Sequence, residues 1–341
     1  MLPESDAFLQ SLEPLRGALR LHCYRMLGSA HDGDDVVQET LLRAWRARDT
    51  LADRAQLKPW LYRIATNACY DELKKRPRRL LATDAFPPTE DARPPLPRVE
   101  EPVWLEPMPN TWLEGVDERD PQARYALKES VALAFVAALQ CLSPVQRATL
   151  LLRDVVGLSA AETAGALGMS LEGANSALFR ARAALASKCG GGEPADIAAT
   201  AQVDEALLER YVRAFEEANL DEIVALFHRD VRTTMPPAPT WVSGRAANER
   251  FYRLMFGSLL PGQFRHLSIG ANGQPALAFY RRPTADAEHV LAAIQLVTTR
   301  DGAIVTVDHF MLPEVYPLFD VPRLLKCAPP RRPLTVPGRR R

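Results

Sequence analysis

Ten prolines fall in the 45 residues that begin at Pro77 and end at Pro121, eight of them between Pro87 and Pro109. Proline inside a helix removes a backbone donor and clashes with the carbonyl one turn earlier, so this stretch cannot run as helix and reads as an extended linker. It divides the chain. Residues 8–76 before it show helical periodicity, with Leu9, Leu12, Leu15 and Leu19, then Val36, Val37, Leu41, Leu42 and Trp45, at spacings of three and four, interrupted at 28–33. Residues 122–188 after it return to the same period. Cys189-Gly-Gly-Gly-Glu-Pro then marks a second boundary, and a third unit spans residues 203–325. That unit opens with amphipathic helix (Leu207, Leu208, Tyr211, Val212, Phe215, then Ile223, Leu226, Phe227) and turns to β-rich runs at 277–280, 290–299 and 304–310. Helices followed by strands predict α+β architecture. Residues 326–341, with Arg331, Arg332 and a terminal Arg339-Arg340-Arg341, read as a basic tail.

The linker is also where the charge departs from balance. Lys plus Arg number 42 and Asp plus Glu 42, yet residues 77–121 carry a net −5, while residues 1–76 carry +1 and residues 122–188 carry +3. Any nucleic-acid surface must therefore be a local patch. Val103, Trp104, Leu105, Met108 and Trp112 make the linker too apolar for a solvated tether, so it is expected to lie on a neighbouring surface. The cysteines Cys23, Cys69, Cys141, Cys189 and Cys327 stand singly with no CxxC, which predicts neither a disulfide framework nor a metal site. Glu4 and Asp6 sit where a secretory signal would carry lysines, and the apolar run 131–142 is short of the roughly 20 residues a bilayer needs. A cytoplasmic chain with no membrane span is expected.

The sharpest local pattern runs from Leu158 to Arg182. Ser159 and Glu162 make a capping box that starts a helix, Gly168 stops it, and Ser170 can cap the next. In the second helix Leu171, Ala174, Leu178, Ala181 and Leu185 form one stripe, expected to pack, and Glu172, Asn175, Ser176, Phe179 and Arg180 form another. Asparagine and serine can read base edges in a major groove, and Arg180 and Arg182 can hold phosphates or a guanine. The pattern alone also fits a solvated helical hairpin.

Three segments in order give it context. Asp34-Asp-Val-Val-Gln-Glu-Thr-Leu-Leu-Arg-Ala-Trp45, Trp60-Leu-Tyr-Arg-Ile-Ala-Thr-Asn-Ala-Cys-Tyr-Asp71, and Leu142-Ser-Pro-Val-Gln-Arg147 with the helix-turn-helix resemble the polymerase-docking helix, the promoter-melting segment and the upstream-element domain of the extracytoplasmic-function sigma factors. The resemblance covers residues 8–188. It implies two all-α domains and, as partners, core RNA polymerase (through its β′ clamp and β flap) and promoter DNA, with an anti-sigma protein as a further partner class. On the first segment Val37, Leu41 and Ala44 can face inward, leaving Asp35, Gln38, Glu39, Arg43 and Arg46 for the polymerase. On the second, Leu61, Ile64, Ala65 and Ala68 form a core stripe while Trp60, Arg63, Asn67 and Lys74 point elsewhere. Ring, amide and cation together suit separated strands, whose unstacked bases can be capped, bonded at their edges and held through phosphates. The resemblance places Asn67 where a flipped base of the downstream element is captured. The basic run Lys74-Lys75-Arg76-Pro77-Arg78-Arg79 is expected along duplex phosphates. Within the linker, Glu100-Glu-Pro-Val-Trp-Leu-Glu-Pro107 resembles a motif of a subgroup that carries a C-terminal extension.

The third unit, through 207–227, Asp230-Val-Arg-Thr-Thr-Met-Pro-Pro237, Trp241-Val-Ser-Gly-Arg245 and Gly273-Gln-Pro-Ala-Leu-Ala-Phe-Tyr280, resembles the SnoaL-like, ketosteroid-isomerase-like cone fold. Enzymes of that fold need a general base with a carboxylate or imidazole partner in the pocket. His228, Asp230, His266, Asp308 and His309 are the available side chains, and no spacing among them marks a dyad. The expected function is transcription initiation without catalysis or cofactor, the cone domain modulating it with or without a small-molecule ligand. The alternative is a SnoaL-like isomerase or cyclase with an appended DNA-binding segment.

Overall fold

The computed structural model describes residues 4–188 and 203–326, apart from residues 52, 77, 91, 94, 100–103, 115, 117–120, 258–259 and 285. The Cys189 boundary, residues 100–103 of the linker motif and the tail beyond Lys326 lie outside the described residues.

The first block folds as α1 (Glu4–Leu27), α2 (Ala30–Arg46) and α3 (Leu57–Lys75). Ser29 starts α2, its hydroxyl accepting from the Asp32 amide at 2.9 Å. The linker contains one helical turn, α4 (Ala82–Ala85), and a 3-10 turn at Asn110–Leu113. The second block folds as α5 (Pro121–Glu129), α6 (Leu133–Leu139), α7 (Pro144–Leu150), α8 (Ala160–Leu167) and α9 (Leu171–Lys188), with a π turn, Leu151–Val155, extending α7. Both halves of the Ser159–Glu162 capping box form, and Gly168 ends α8 in the left-handed region at φ 63°.

The linker does not keep the two blocks apart. Leu19, Cys23, Leu61 and Ala65 share one apolar core with Leu139, Leu151, Leu178 and Leu185. Helical blocks this short bury little apolar surface alone, and joining them closes the core. The linker folds back on the joint: Trp104, Leu105, Met108 and Trp112 are buried, the last three with Leu21, Tyr24 and Val136.

The third unit comprises α10 (Glu205–Glu216), α11 (Leu220–Ala225), β1 (Phe227–Thr234), β2 (Trp241–Ser243), α12 (Arg245–Phe256), β3 (Phe264–Ala271), β4 (Gln274–Arg281), β5 (His289–Arg300), β6 (Ala303–Phe310) and β7 (Leu324–Leu325). The sheet order is β2-β1-β6-β5-β4-β3 with β7 on β5. β1 and β6 are parallel and every other pair is antiparallel. Strands alternate between faces. On the inner face Leu277, Phe279, Val297 and Val307 meet Tyr211, Phe215 and Tyr252 of the helices. On the outer face Ile294, Leu296 and Phe310 meet Ala82, Phe86 and Trp104 of the linker. The expectation that Phe227 continues the preceding helix is corrected, because it begins β1, where the inner face buries it completely.

Candidate nucleic-acid interface

In α9 the stripe Ala174, Leu178, Ala181 and Leu185 is buried, and α7 and α8 support it. Glu172, Asn175, Ser176, Phe179 and Arg180 are exposed on the other side, Phe179 by 75%. An aromatic ring so exposed between an amide and a guanidinium has the chemistry of base readout, since a ring can contact a thymine methyl and Arg180 can fork onto a guanine. Two expectations need correction. Leu171 is half exposed, because it occupies the first turn before the helix meets its neighbours. Arg182 is not free, since its guanidinium forks onto Asp154 at 2.7 and 3.0 Å.

On α3, Leu61, Ala65 and Ala68 are buried, Ile64 packs against the same core, and Arg63 and Asn67 are exposed. Trp60 is half-buried, edge-on to Phe8 with ring centroids 6.4 Å apart, so only part of its ring faces out. Lys74 and Lys75 are exposed and lean on Asp71 and Glu72 at 3.5 and 3.0 Å. Such exposed pairs are weak and can yield to phosphates. Arg76 bridges Glu72 and Asp32, each at 3.1 Å. Arg79 departs from its expected place along the duplex. It is buried, and its guanidinium holds Asp32 at 2.6 Å, Glu106 at 2.8 Å and the Trp104 carbonyl at 2.7 Å.

On α2, Val37 and Ala44 are buried, Leu41 packs on the core, and Asp35, Gln38 and Arg46 are exposed. Glu39 and Arg43 are partly buried, and Arg43 lies between Glu39 at 2.7 Å and Asp71 at 2.9 Å. Those hydrogen bonds raise the Arg43 pKa, and the Arg43 guanidinium holds the Asp71 carboxyl below its ordinary range. The pair ties α2 to α3.

In the cone domain the five candidate side chains do not assemble into one site, although His228 Nδ1 lies 3.7 Å from the Asp230 carboxylate. His228 and Asp230 stand on β1 near the surface, while Asp308 and His309, neighbours in sequence, point to opposite sheet faces. His266 and His309 lie inside, and burial lowers them to about 3 and about 4, so both are neutral at pH 7. The nearest carboxylate to His266 is Glu216, 4.0 Å from Nδ1, too long for a hydrogen bond. The Gln295 amide donates to Tyr211 Oη at 3.0 Å and lies 3.2 Å from His309 Nδ1. Among the described residues no cluster of His, Cys, Asp and Glu could hold a metal ion, and no helix is long and apolar enough to cross a membrane.

The joint between modules was missed by the sequence reading. Glu106 accepts from the Ser29 hydroxyl at 2.8 Å and the His31 amide at 3.1 Å, which places a linker carboxylate at the N-terminus of α2. Beside it, the β3–β4 turn of the cone domain enters the helical core. Asn272, 2% exposed at φ 50°, donates through Nδ2 to Tyr24 Oη at 2.7 Å and to the Val131 carbonyl at 2.8 Å, and accepts at Oδ1 from the Met108 amide at 3.1 Å. One side chain thus bonds α1, the linker and the second helical block. Gly273 is required there, since at φ 79° a Cβ would meet the Lys128 carbonyl oxygen at 2.9 Å. The sequence there is Asn272-Gly273, a pair suited to a tight hairpin turn, which announces a turn and not what the turn touches.

Comparison with known proteins adds relationship to this geometry. The family described as Sigma-70 region 2 matches residues 12–79, Sigma-70, region 4 matches residues 132–185, and a SnoaL-like domain family matches residues 208–307. The chain is 40% identical over 315 residues to the ECF RNA polymerase sigma factor SigG of Mycobacterium tuberculosis, spanning 92% of this chain and 84% of that protein. It is 28% identical over 305 residues to SigJ of the same organism, spanning 87% of this chain and 89% of SigJ. The crystal structure of SigJ aligns with a TM-score of 0.58 at 25% identity, covering 91% of this chain and 98% of that one.

Proposed function

The chain belongs to the extracytoplasmic-function RNA polymerase sigma factors, and from that premise we propose how its surfaces divide the work. It binds core RNA polymerase and promoter DNA to start transcription, and it is a regulator of transcription, not an enzyme. Its place of action is the cytoplasm, where promoter DNA is reached. The isomerase or cyclase alternative is not favoured, because relatives aligned along most of the chain are sigma factors.

The face of α2 with Asp35, Gln38, Glu39, Arg43 and Arg46 grips the polymerase, with the β′ clamp as partner. The face of α3 with Arg63 and Asn67, flanked by the outer edge of Trp60 and by Lys74, Lys75 and Arg76, takes the separated downstream element. The face of α9 with Glu172, Asn175, Ser176, Phe179 and Arg180 enters the upstream major groove, while Arg182 sets the edge of α9 through Asp154. The observation that carries this reading is the two-sided character of α9, one stripe buried and the other presenting amide, hydroxyl, ring and guanidinium to solvent. The shared core and the Asn272 joint support a second element of the reading: this compact arrangement is a resting state. Promoter elements on separate stretches of duplex need α3 and α9 to move apart, and the cone domain opposes that motion.

In-vitro transcription with bacterial core polymerase tests both parts. Asn67→Ala and Arg180→Ala are expected to lower output from a cognate promoter, and truncation after Lys188 to change it. Full output from both point variants would remove these faces from DNA recognition, and identical output from the truncated and full chains would remove the resting state.

A further inference from the structure

The outer face of the cone-domain sheet is apolar where the linker covers it and polar at one end. Strand register aligns Ser243, Arg232, Thr306 and Thr298 in a row across β2, β1, β6 and β5, and Trp241, Thr234, Asp308 and Leu296 in the row beside it. A cleft of about 480 Å³ stands over these rows. That volume lies within the roughly 300–1,000 Å³ of small-molecule sites, which occur preferentially between domains. The other wall comes from different modules, Leu81 and Thr83 at and within α4 in the linker and Leu133 and Ala134 on α6. The cleft is on the opposite side of the sheet from the cone interior, where Tyr211, Gln295 and His309 meet.

The charges at the cleft are unevenly satisfied. Arg232 and Arg300 are exposed at its rim, and neither forms an ion pair among the described residues. Asp230, also at the rim, is engaged by Arg229 at 3.2 Å. Deeper in, Asp308 accepts from the Thr234 hydroxyl at 2.7 Å. Burial pushes the Asp308 carboxyl up, which favours its neutral form, while the Thr234 hydrogen bond and Arg232 partly offset that push. Two guanidiniums that form no ion pair among the described residues, beside threonine hydroxyls, have the donors to receive a small anion, and arginine matches a carboxylate in particular by its planar fork. Leu81, Leu133 and Leu296 offer the rest of the ligand an apolar bed.

We propose that this interdomain cleft binds a small amphiphilic carboxylate, its head between Arg232 and Arg300 over the Thr298 and Thr306 hydroxyls and its apolar body against Leu81 and Leu133. Because the walls belong to separate modules, an occupant fastens them together. This regulatory consequence rests on the resting-state reading above, whereas binding itself does not.

Isothermal titration of the full chain tests the site, with octanoate and indole-3-acetate as probes, their primary amides as uncharged counterparts and inorganic phosphate as a bare anion. Both carboxylates are expected to bind, with the amides weaker by about tenfold or more, as the loss of charge-assisted hydrogen bonds dictates. Arg232→Gln and Arg300→Gln should each weaken carboxylate binding by about tenfold, whereas Arg250→Gln, at an exposed position on α12 outside the cleft, should not. No carboxylate binding, equal binding of acids and amides, or indifference to both cleft arginines overturns the proposal. Phosphate binding more tightly than either carboxylate overturns the amphiphile in favour of a bare anion. Transcription read in parallel separates the two levels: carboxylate binding without any change in output keeps the site and discards the resting state. Absent binding, with Asn272→Ala still raising output, discards the site alone.

Discussion

The exposed face of α3 and the β3–β4 turn each present one asparagine, and the two are used in opposite ways. Asn67 stands in solvent beside Arg63. Asn272 is buried, with both ends of its amide engaged by three different parts of the chain. An exposed amide is paired with water in the free protein, so it can exchange that water for a base edge at little cost and contributes little to folding. A buried amide whose donors and acceptor are all satisfied fixes one arrangement of its neighbours, and losing it leaves desolvated groups without partners. The same residue type is left to solvent in one region and already holds its partners in the other.

Substitutions can break this contrast, starting with the largest effect. Glu106→Ala leaves buried Arg79 with one carboxylate instead of two and strips the His31 amide at the α2 N-terminus of its acceptor. A loss of about 3–5 kcal/mol in urea denaturation is expected, and a loss below about 1 kcal/mol would mean that the joint tolerates an open charge. Asn272→Ala removes three side-chain hydrogen bonds and places alanine at φ 50°, with an expected cost of about 2–3 kcal/mol. Its output in transcription should rise, and an unchanged melting curve would show that the turn merely touches the helices. Arg180→Ala should weaken upstream-element binding by about 1–3 kcal/mol in a gel-shift titration if it reads a guanine. A contact to phosphate would instead flatten the salt dependence. Smallest in stability is Asn67→Ala, expected within about 0.5 kcal/mol of the parent while open-complex formation, read by permanganate footprinting, declines. Destabilisation by Asn67→Ala as large as that by Asn272→Ala would erase the distinction.

Much of the local architecture was legible beforehand. Ser159, Glu162 and Gly168 announce the start and stop of α8, and the stripe from Ala174 to Leu185 announces which side of α9 is buried, because capping and periodicity are decided within a few residues. The β-rich runs near 277–280, 290–299 and 304–310 become β4, β5 and β6. Less legible were the fates of individual charges. Arg79 belongs by sequence to a basic run but is drawn inward by Asp32 and Glu106, which are 47 and 27 residues away. Arg182 looks like Arg180 two residues earlier, yet only Arg182 meets Asp154. A pairing of this kind depends on where another element ends, and no local pattern carries that information.

The sequence by itself determined the helical blocks, their caps, the proline segment, whose described residues hold no helix longer than a turn, and the order of three modules, since these follow from backbone sterics and from side chains a turn or a strand apart. Only the tertiary structure decided that the first two modules share one core, that Trp104, Leu105, Met108 and Trp112 of the proline segment are buried against neighbouring modules, and that a two-residue turn of the third module bonds both helical modules and that segment. Those outcomes depend on apolar surface that no module can hide alone, and on buried polar atoms that must find partners far along the chain.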